Sequence, residues 1–211
     1  MVIFEKEDKQ RDPLPFLLLA TNNRSKVNEY RELLGGLSFR AVSLSERGIT
    51  INVAEIGESL EENARLKALV VARLSRLLSM SDDSGLEVDI LGGEPGCLSA
   101  RCAGKGANDK DRIDYLLQRL DGVPLEKRSA RFRCVIAVAS KEGIVGYSFG
   151  ECSGLIALEP EGKGGFGYDP VFYLPELDRT MAQLSMEEKN RISHRGKAAS
   201  KIRSLLEGLT V

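Results

Sequence analysis

An uninterrupted apolar run, FLLLA at residues 16–20, is the feature that most constrains the fold of this chain. A strand with one solvated face alternates between apolar and polar residues, whereas a strand covered on both faces is apolar throughout. The run is followed by a polar segment, residues 21–26, and then by apolar residues at helical spacing as far as Gly35 and Gly36. This order of central strand, polar turn and helix is typical of an α/β protein.

Further periodic segments extend that pattern. Apolar spacing predicts three more helices, from Ser59 to about Leu78, over residues 108–120, and from Ser193 to about Glu207. Apolar or alternating runs predict strands at residues 131–139, 144–150, 155–158 and 171–174, with one or two more within 38–56. The fold expected is therefore α/β, with a long mixed β-sheet flanked by helices, in two lobes with a cleft between them.

The composition excludes several classes of protein. The 211 residues are 42% hydrophobic and 29% charged, and their net charge of −1 argues against a protein that coats nucleic acid or a membrane surface. No apolar run approaches the ~20 residues that a membrane span requires. Residues 1–14 are mixed and unlike a targeting peptide, so we expect a flexible tail before a single domain over residues 15–211.

The cysteines and the one histidine limit the metal chemistry of the chain. Cys97, Cys102, Cys134 and Cys152 contain no C-x-x-C pair, and a single histidine makes a zinc site of ordinary spacing unexpected. Reduced thiols are the default in the cytoplasm, which is where we expect the protein.

Two adjacent carboxylates stand in the segment Asp82-Asp83-Ser84-Gly85, between a leucine-rich segment and an alternating run. Successive residues of a strand point to opposite faces, so an extended backbone cannot bring both acids into one site. We therefore predict a turn at Ser84-Gly85 that places one acid at the end of a strand. Paired acids suit Mg²⁺, which one or two carboxylates and substrate phosphates can hold; a solvated Asx turn is the alternative interpretation.

Residues 21–26 are also a candidate anion site. A strand that ends in a polar turn before a helix directs backbone N–H groups and the positive helix end to one point. Lys26 adds a cation where the helix dipole favours an acid, which a bound phosphate would explain. The alternative is that Asn23 or Ser25 only caps the helix.

Two other helix starts carry residues suited to a site. Ser59 and Glu62 have the spacing of a capping box, which competes with a metal-binding role for Glu62. Ser193 has the character of a cap for the last helix, and His194 and Arg195 then fill its first turn against the dipole. Such a concentration of donors favours a binding site, and a solvated helix end is the alternative interpretation.

Taken together, these stretches resemble the Ham1/RdgB-type inosine triphosphate pyrophosphatases, over about residues 16–207. The blocks that carry the resemblance are Ala20-Thr21-Asn22-Asn23-x-x-Lys26, Glu62-Asn63-Ala64-x-x-Lys67-Ala68, Asp82-Asp83-Ser84-Gly85-Leu86, Gly93-x-Pro95-Gly96-x-x-Ser99-Ala100-Arg101, Gly164-Gly165-Phe166-Gly167-Tyr168-Asp169-Pro170 and Ser193-His194-Arg195-Gly196-x-Ala198. Their order also matches. The chain departs from the family at Ser81, at Cys102 where a tyrosine is commoner, and at Ser59-Leu60.

The resemblance implies hydrolysis of non-standard purine nucleoside triphosphates (ITP, dITP and XTP) to the monophosphate and pyrophosphate, in a nucleotide cleft, by a homodimer. It implies Asp83 as the catalytic carboxylate and, with Glu62, as a ligand of Mg²⁺. The residues implied to bind the triphosphate are Thr21, Asn22, Asn23, Arg24, Ser25 and Lys26. The residues implied to line the rest of the nucleotide pocket are Ser84, Phe166, Gly167, Tyr168, Asp169, Lys189, His194 and Arg195.

The implied roles are chemically reasonable. Lys26, a helix N-terminus and Mg²⁺ would offset the charge that develops at the α-phosphate. Donors on His194 and Arg195 suit a 6-keto purine, and adenine would leave them unpaired. Phe166 or Tyr168 is expected to stack on the base, with a core position the alternative for each.

Two other functions fit parts of the sequence. Gly146-Tyr147-Ser148-Phe149-Gly150 matches G-x-S-x-G, and Ser148, Asp169 and His194 follow a hydrolase order, but no helix is predicted straight after the serine. A non-catalytic nucleotide sensor would keep the binding residues but could discard Asp83 or Glu62. Both acids are present, which favours catalysis.

Overall fold

A computed structural model of the protein describes residues 14–104 and 106–209. Apart from Leu14, the predicted tail lies outside the described residues. Within those residues, eight strands form one sheet in the order β2-β1-β3-β5-β6-β7-β8, with β4 paired to β3. The strands are β1 (Phe16–Leu19), β2 (Arg40–Ser43), β3 (Leu78–Val88), β4 (Pro95–Gly96), β5 (Ser129–Ala139), β6 (Ile144–Ile156), β7 (Phe172–Leu174) and β8 (Arg179–Thr180).

The sheet is mixed, because β1 is parallel to β2 and β3 while the other pairs are antiparallel. The α-helices of the described part are α1 (Arg24–Leu33), α2 (Leu60–Ser75), α3 (Asp109–Arg119), α4 (Met186–Ile192) and α5 (His194–Glu207). None of these helices is long and apolar enough to cross a membrane. The predicted long mixed sheet flanked by helices is confirmed.

Strand β1 is covered on both faces, as its apolar run predicts. Leu17 and Leu19 pack in one cluster with residues of α1 and α5, and Leu18 packs on the other face with Val71 of α2. A further cluster of the core includes Leu86, Phe132 and residues of α3, β6 and β7.

The predicted turn at Asp82-Asp83-Ser84-Gly85 is wrong. These residues lie inside β3, where Asp82 pairs with Ile136 and Asp83 with Val135 of β5. A Cβ at Gly85 would stand 2.4 Å from the carbonyl oxygen of Gly96. The glycine is therefore required because β4 packs closely against β3 here, and not because the chain turns.

Other element boundaries differ from prediction. Helix α2 ends at Ser75, because Arg76 adopts a left-handed conformation with φ 58°, and Leu78 begins β3 instead of ending the helix. The two strands predicted at 144–150 and 155–158 form one continuous strand, β6. Helix α4 was not predicted, and residues 38–56 contain one strand, β2.

Candidate active site

The start of α1 forms a polar corner where β1 ends. The Asn23 side chain caps α1 by accepting hydrogen bonds from Ser25 N at 2.9 Å and Lys26 N at 3.2 Å. Thr21 Oγ1 in turn accepts a hydrogen bond from Asn23 N at 3.2 Å. The cap alternative is therefore realised, and it leaves the positive helix end and Lys26 directed into a cavity, where they favour an anion.

Two adjoining cavities meet at this corner. One of about 500 Å³ lies beside residues 51–56, and one of about 370 Å³ extends to residues 166–169. Both are lined by Asn23, Lys26 and Glu55, so the pair can hold one extended ligand. The second cavity is also lined by Leu86 of β3, Phe132 of β5 and Arg195 of α5.

Asp82 neutralises two cations under the cavity. Its Oδ2 lies 2.9 Å from Lys26 Nζ and 3.3 Å from Arg195 Nη2, and it accepts a hydrogen bond from Ser84 Oγ at 3.1 Å. Burial alone would raise the pKa of Asp82, but Lys26 and Arg195 lower it well below the ordinary value. The Asp82 carboxylate therefore offsets the cost of a lysine in the first turn of α1.

Asp83 lies on the other face of β3, against α2. Its Oδ1 accepts from Lys67 Nζ at 2.7 Å and its Oδ2 from Asn63 Nδ2 at 3.3 Å. The same Lys67 ammonium donates to Glu55 Oε1 at 2.9 Å, so two carboxylates converge on one cation. Burial raises the pKa of Asp83 to about 6, against the opposing effect of Lys67.

Lys67 remains charged in this group. Burial alone would lower the pKa of Lys67, but Asp83, Asp82 and Glu55 together raise it. Burial alone would likewise raise the pKa of Glu55, and Lys67 lowers it. Asp83 is therefore the carboxylate of the group that can gain a proton near neutral pH.

His194 and Arg195 supply polar groups at the opposite end of the cavity. Both are buried, and His194 stacks on Phe132 with 4.7 Å between ring centroids. Burial, with Arg195 and Lys189 nearby, lowers the pKa of His194 well below its ordinary value, so the imidazole is neutral at pH 7. Among the described residues, His194 Nδ1 and Arg195 Nε have no hydrogen-bond partner.

Two aromatic residues of the loop have different positions. Phe166 is half-buried, and the Arg195 guanidinium carbon lies 5.3 Å from its ring centroid. Tyr168 is buried in the core cluster, and its hydroxyl donates to Ser99 O at 2.9 Å while it contacts Cys102 Sγ at 2.9 Å. Phe166 lines the cavity with Arg195 and Lys189 over its ring, so it is the ring placed to stack on a ligand with its remaining face. Tyr168 supports the wall of the cavity.

A buried network of ion pairs lies next to the end of the cavity that His194, Arg195 and Phe166 line. Lys189 Nζ lies 2.7 Å from Glu29 Oε1 and 2.6 Å from Asp169 Oδ2, and Arg195 Nη1 donates to Glu29 Oε2 at 2.7 Å. Asp169 Oδ2 also accepts from Phe166 N at 2.9 Å. Lys189 thus holds Asp169, and through it the loop, rather than lining the cavity.

The structure brings most of the predicted site residues together. Those that line the two cavities are Thr21, Asn22, Asn23, Ser25, Lys26, Asp83, Ser84, Phe166, Gly167, Tyr168, Asp169, His194 and Arg195. Arg24 is exposed, and Glu62 lines neither cavity. Glu62 Oε2 accepts from Glu58 N at 2.8 Å, so the predicted capping box with Ser59 forms in one direction only.

Sequence reasoning missed Glu55, Asn63 and Lys67 as members of the site. Asn63 and Lys67 are four residues apart on α2 and therefore share a helix face, which Glu62, one position earlier, does not. That spacing was the available signal. Glu55 lies in a segment without regular structure, where no periodicity marks it.

The Ser148 interpretation is wrong. Ser148 lies in the middle of β6, buried, and its hydroxyl donates to Ala198 O at 2.8 Å. A nucleophile elbow requires a turn from strand to helix at the serine, and the strand continues here to Ile156.

These features define a mixed α/β protein whose cleft offers a cationic helix start, two converging carboxylates and an aromatic, donor-rich end. The profile of the Ham1 family matches residues 17–205. A dITP/XTP pyrophosphatase of Desulforamulus reducens is 48% identical over 195 residues, which are 92% of this chain and 97% of that protein. One of Bacillus subtilis is 44% identical over 190 residues, 90% of this chain and 96% of that protein.

Solved structures agree with the family match. A HAM1 protein from Coxiella burnetii superposes with a TM-score of 0.83 at 39% identity, covering 92% of this chain and 100% of that one. The Staphylococcus aureus Ham1 protein gives 0.81 at 40% identity, covering 92% and 99%. The chain belongs to the Ham1 family.

Proposed function

We propose that this protein hydrolyses the non-standard purine nucleoside triphosphates ITP, dITP and XTP to the nucleoside monophosphate and pyrophosphate. The observation that carries the proposal is the position of Asp83. It lines a cavity bounded by the α1 start and Lys26 at one end and by Phe166 and His194 at the other. A nucleotide laid between an anion site and an aromatic, donor-rich site would present its α-phosphate near this carboxylate. The relatives' name, dITP/XTP pyrophosphatase, supports the same reaction.

Mg²⁺ fits the acids of the site. Asp83 and Glu55 both contact Lys67 Nζ. Their two carboxylates therefore converge on a position that favours a cation. Within the described residues no group of three or more His, Cys, Asp or Glu side chains could hold a metal. Two carboxylates, completed by substrate phosphates and water, are the usual protein site for Mg²⁺. We propose Asp83 and Glu55 as its ligands, and Glu62 remains a prediction from the family resemblance.

The reaction follows from the charges of these residues. Bound Mg²⁺ would neutralise phosphate charge and make the attacking water more acidic. Water attacks the α-phosphorus, the bond to the bridging oxygen of the β-phosphate breaks, and pyrophosphate leaves. Asp83 is the carboxylate proposed to accept the proton of the water. In the metal-free protein burial raises its pKa to about 6, so it is ionised at neutral pH. Lys67 and Lys26 offset the negative charge that develops on the phosphate oxygens.

Base selection is proposed to depend on His194 and Arg195. His194 and Arg195 line the cavity, and His194 Nδ1 and Arg195 Nε are buried without a partner in the described structure, so a ligand acceptor that reached them would remove a desolvation cost. The keto oxygen of hypoxanthine or xanthine accepts hydrogen bonds, whereas the 6-amino group of adenine donates them. We expect this mismatch to disfavour ATP by ~10⁴-fold or more.

The proposal is tested by measuring pyrophosphate release from ITP, XTP, GTP and ATP, each with Mg²⁺ and with a chelator. Fast, Mg²⁺-dependent release from ITP and XTP, with slow release from ATP, is the expected result. Binding of ITP without turnover would instead indicate a nucleotide sensor. Equal rates with ITP and ATP would contradict the assigned role of His194 and Arg195.

The oligomeric state and the cellular location of the protein are also proposed. Homodimeric assembly and a cytoplasmic location are both proposed from the family resemblance, and the reduced state of Cys97, Cys102, Cys134 and Cys152 is compatible with the location. Sedimentation of the purified protein would test the assembly.

A further inference from the structure

The loop that carries Phe166 is anchored by two carboxylates from different parts of the chain. Phe166 N donates to Asp169 Oδ2 at 2.9 Å, which is a bond within the loop. The next amide, Gly167 N, donates to Asp109 Oδ2 at 2.7 Å, and Asp109 is the first residue of α3. Gly167 has φ +63°, a conformation that glycine adopts readily.

Asp109 is itself held in place by Arg112. Arg112 Nη2 donates to Asp109 Oδ1, and Arg112 Nη1 donates to Ala107 O at 2.7 Å and Ala100 O at 3.2 Å. The Arg112 side chain is 18% exposed and that of Asp109 is 47% exposed. Asp109 and Arg112 both line the cavity, so the first turn of α3 links Ala100 and Ala107 to the loop across it.

Without such an anchor this loop would be costly to order. Residues 162–167 include four glycines, and glycine loses more conformational freedom on ordering than any other residue. The Tyr168 hydroxyl fixes the far side of the loop to Ser99, and Lys189 fixes Asp169. Among these bonds, the Asp109 carboxylate is the anchor that ties the backbone beside Phe166 to another element.

We propose that Asp109 is a positioning residue for substrate binding: its carboxylate fixes the Gly167 amide and thereby holds Phe166 in place to stack on the base. The inference rests on the proposed function. Asp109 acts before the chemical step, since proton transfer is assigned to Asp83 on a different element. Loss of its carboxylate therefore weakens substrate binding and leaves the chemical step unchanged.

Steady-state kinetics with ITP and Mg²⁺ separate these effects. We expect Asp109→Ala to raise KM about tenfold, the equivalent of one charge-assisted hydrogen bond, while kcat stays within about twofold. Asp109→Asn keeps an oxygen that can accept from Gly167 N, so its KM lies between those of Asp109→Ala and the parent. Asp114→Ala is the matched control, because Asp114 is an exposed carboxylate of α3 whose ion pair is with Lys110.

A double variant tests whether Arg112 acts through Asp109. Arg112→Met is expected to raise KM by a smaller factor in the Asp109→Ala background than in the parent, since the part of its effect that acts through Asp109 is already lost. The bonds of Arg112 to Ala100 O and Ala107 O account for the part that remains. A KM for Asp109→Ala equal to that of Asp114→Ala overturns the proposal. So does a large fall in kcat at unchanged KM.

Amide hydrogen exchange provides a second readout that does not depend on turnover. We expect faster exchange at residues 166–167 in Asp109→Ala than in the parent or in Asp114→Ala, with unchanged exchange in the β5 strand. Unchanged exchange at residues 166–167 overturns the proposal. A parent protein that releases no pyrophosphate from ITP would refute the proposed function, and the exchange result would still decide the role of Asp109 in the loop.

Discussion

Asp82 and Asp83 are adjacent on strand β3, yet their carboxylates serve opposite faces of the sheet. Asp82 lies 2.9 Å from Lys26 of α1, and Asp83 lies 2.7 Å from Lys67 of α2. The alternation of a strand produces this separation without a turn. One acid therefore neutralises buried cations, and the other stands in the cavity with a raised pKa.

The first prediction concerns Asp83 as proton acceptor. Asp83→Asn removes the basic oxygen but keeps the size of the side chain, and we expect kcat for ITP to fall by about 10²-fold or more. Pyrophosphate release and circular dichroism would be measured on the same preparations. Asp114→Asn is the surface control. A folded Asp83→Asn protein with the parent rate would show that Asp83 is not catalytic.

The second prediction is a pH profile. Asp83 must be ionised to accept a proton, so kcat/KM is expected to rise with pH through about 6. Lys67→Met removes the ammonium that favours the ionised form, and this shifts the acid limb to higher pH. Lys110→Met, at an exposed lysine, should leave the limb in place. An acid limb that stays in place or moves down in Lys67→Met would refute this coupling.

The third prediction uses His194, the one histidine of the sequence. Because burial and neighbouring cations lower its pKa well below 6.5, the folded protein should show no imidazole titration by NMR between pH 8 and about 6. In urea the same signal should titrate near 6.5, the ordinary value. A midpoint near 6.5 in the folded protein would mean that the imidazole is solvated and not a buried neutral group.

The fourth prediction concerns the stability supplied by Asp82. Asp82→Asn leaves the Lys26 and Arg195 cations without their shared carboxylate in a buried site, and we expect the free energy of unfolding to fall by about 3–5 kcal/mol. Urea denaturation measures this change. The exposed Asp114→Asn should cost less than about 1 kcal/mol. Equal midpoints for the two variants would contradict the buried ion-pair role.

The fifth prediction concerns the contact between β6 and α5. A Cβ at Gly150 would stand 2.0 Å from His194 O, so Gly150→Ala must displace the start of α5 or distort β6. We expect a lower melting temperature. In the fraction of the protein that folds, we expect weaker ITP binding, because His194 and Arg195 are displaced. Gly143→Ala is the control, since its Cβ would meet nothing within 4 Å. Parent-like melting of Gly150→Ala would show that the helix tolerates the shift.

Much of the fold was predictable because local patterns and tertiary packing agree. The run at residues 16–20 predicted a strand covered on both faces, and Leu17 and Leu18 do pack on opposite sides of the sheet. Helix α3 lies within the predicted range, since its apolar spacing and its Asn108 cap are local signals. Helix α4 has seven residues, which is too short for a clear periodic signal.

The errors came from residues whose role depends on distant neighbours. Gly85 was interpreted as part of a turn. In the structure it lies within β3, where the absence of a side chain leaves room for the Gly96 carbonyl oxygen. Glu62 remains a prediction from its motif, whereas Glu55, which shares Lys67 with Asp83, was missed. Neither contact has a signature in the local sequence.

The sequence by itself determined most of the element types, the family and the residues expected at the two ends of the cleft, since these depend on hydrophobic periodicity and short motifs. Only the tertiary structure decided which acid faces the cavity, which carboxylates share Lys67 and which group holds the Phe166 loop. These depend on strand register and helix placement, which join residues such as Asp109 and Gly167 across 58 positions of the chain. The same burial sets the pKa of Asp83, which no local pattern specifies.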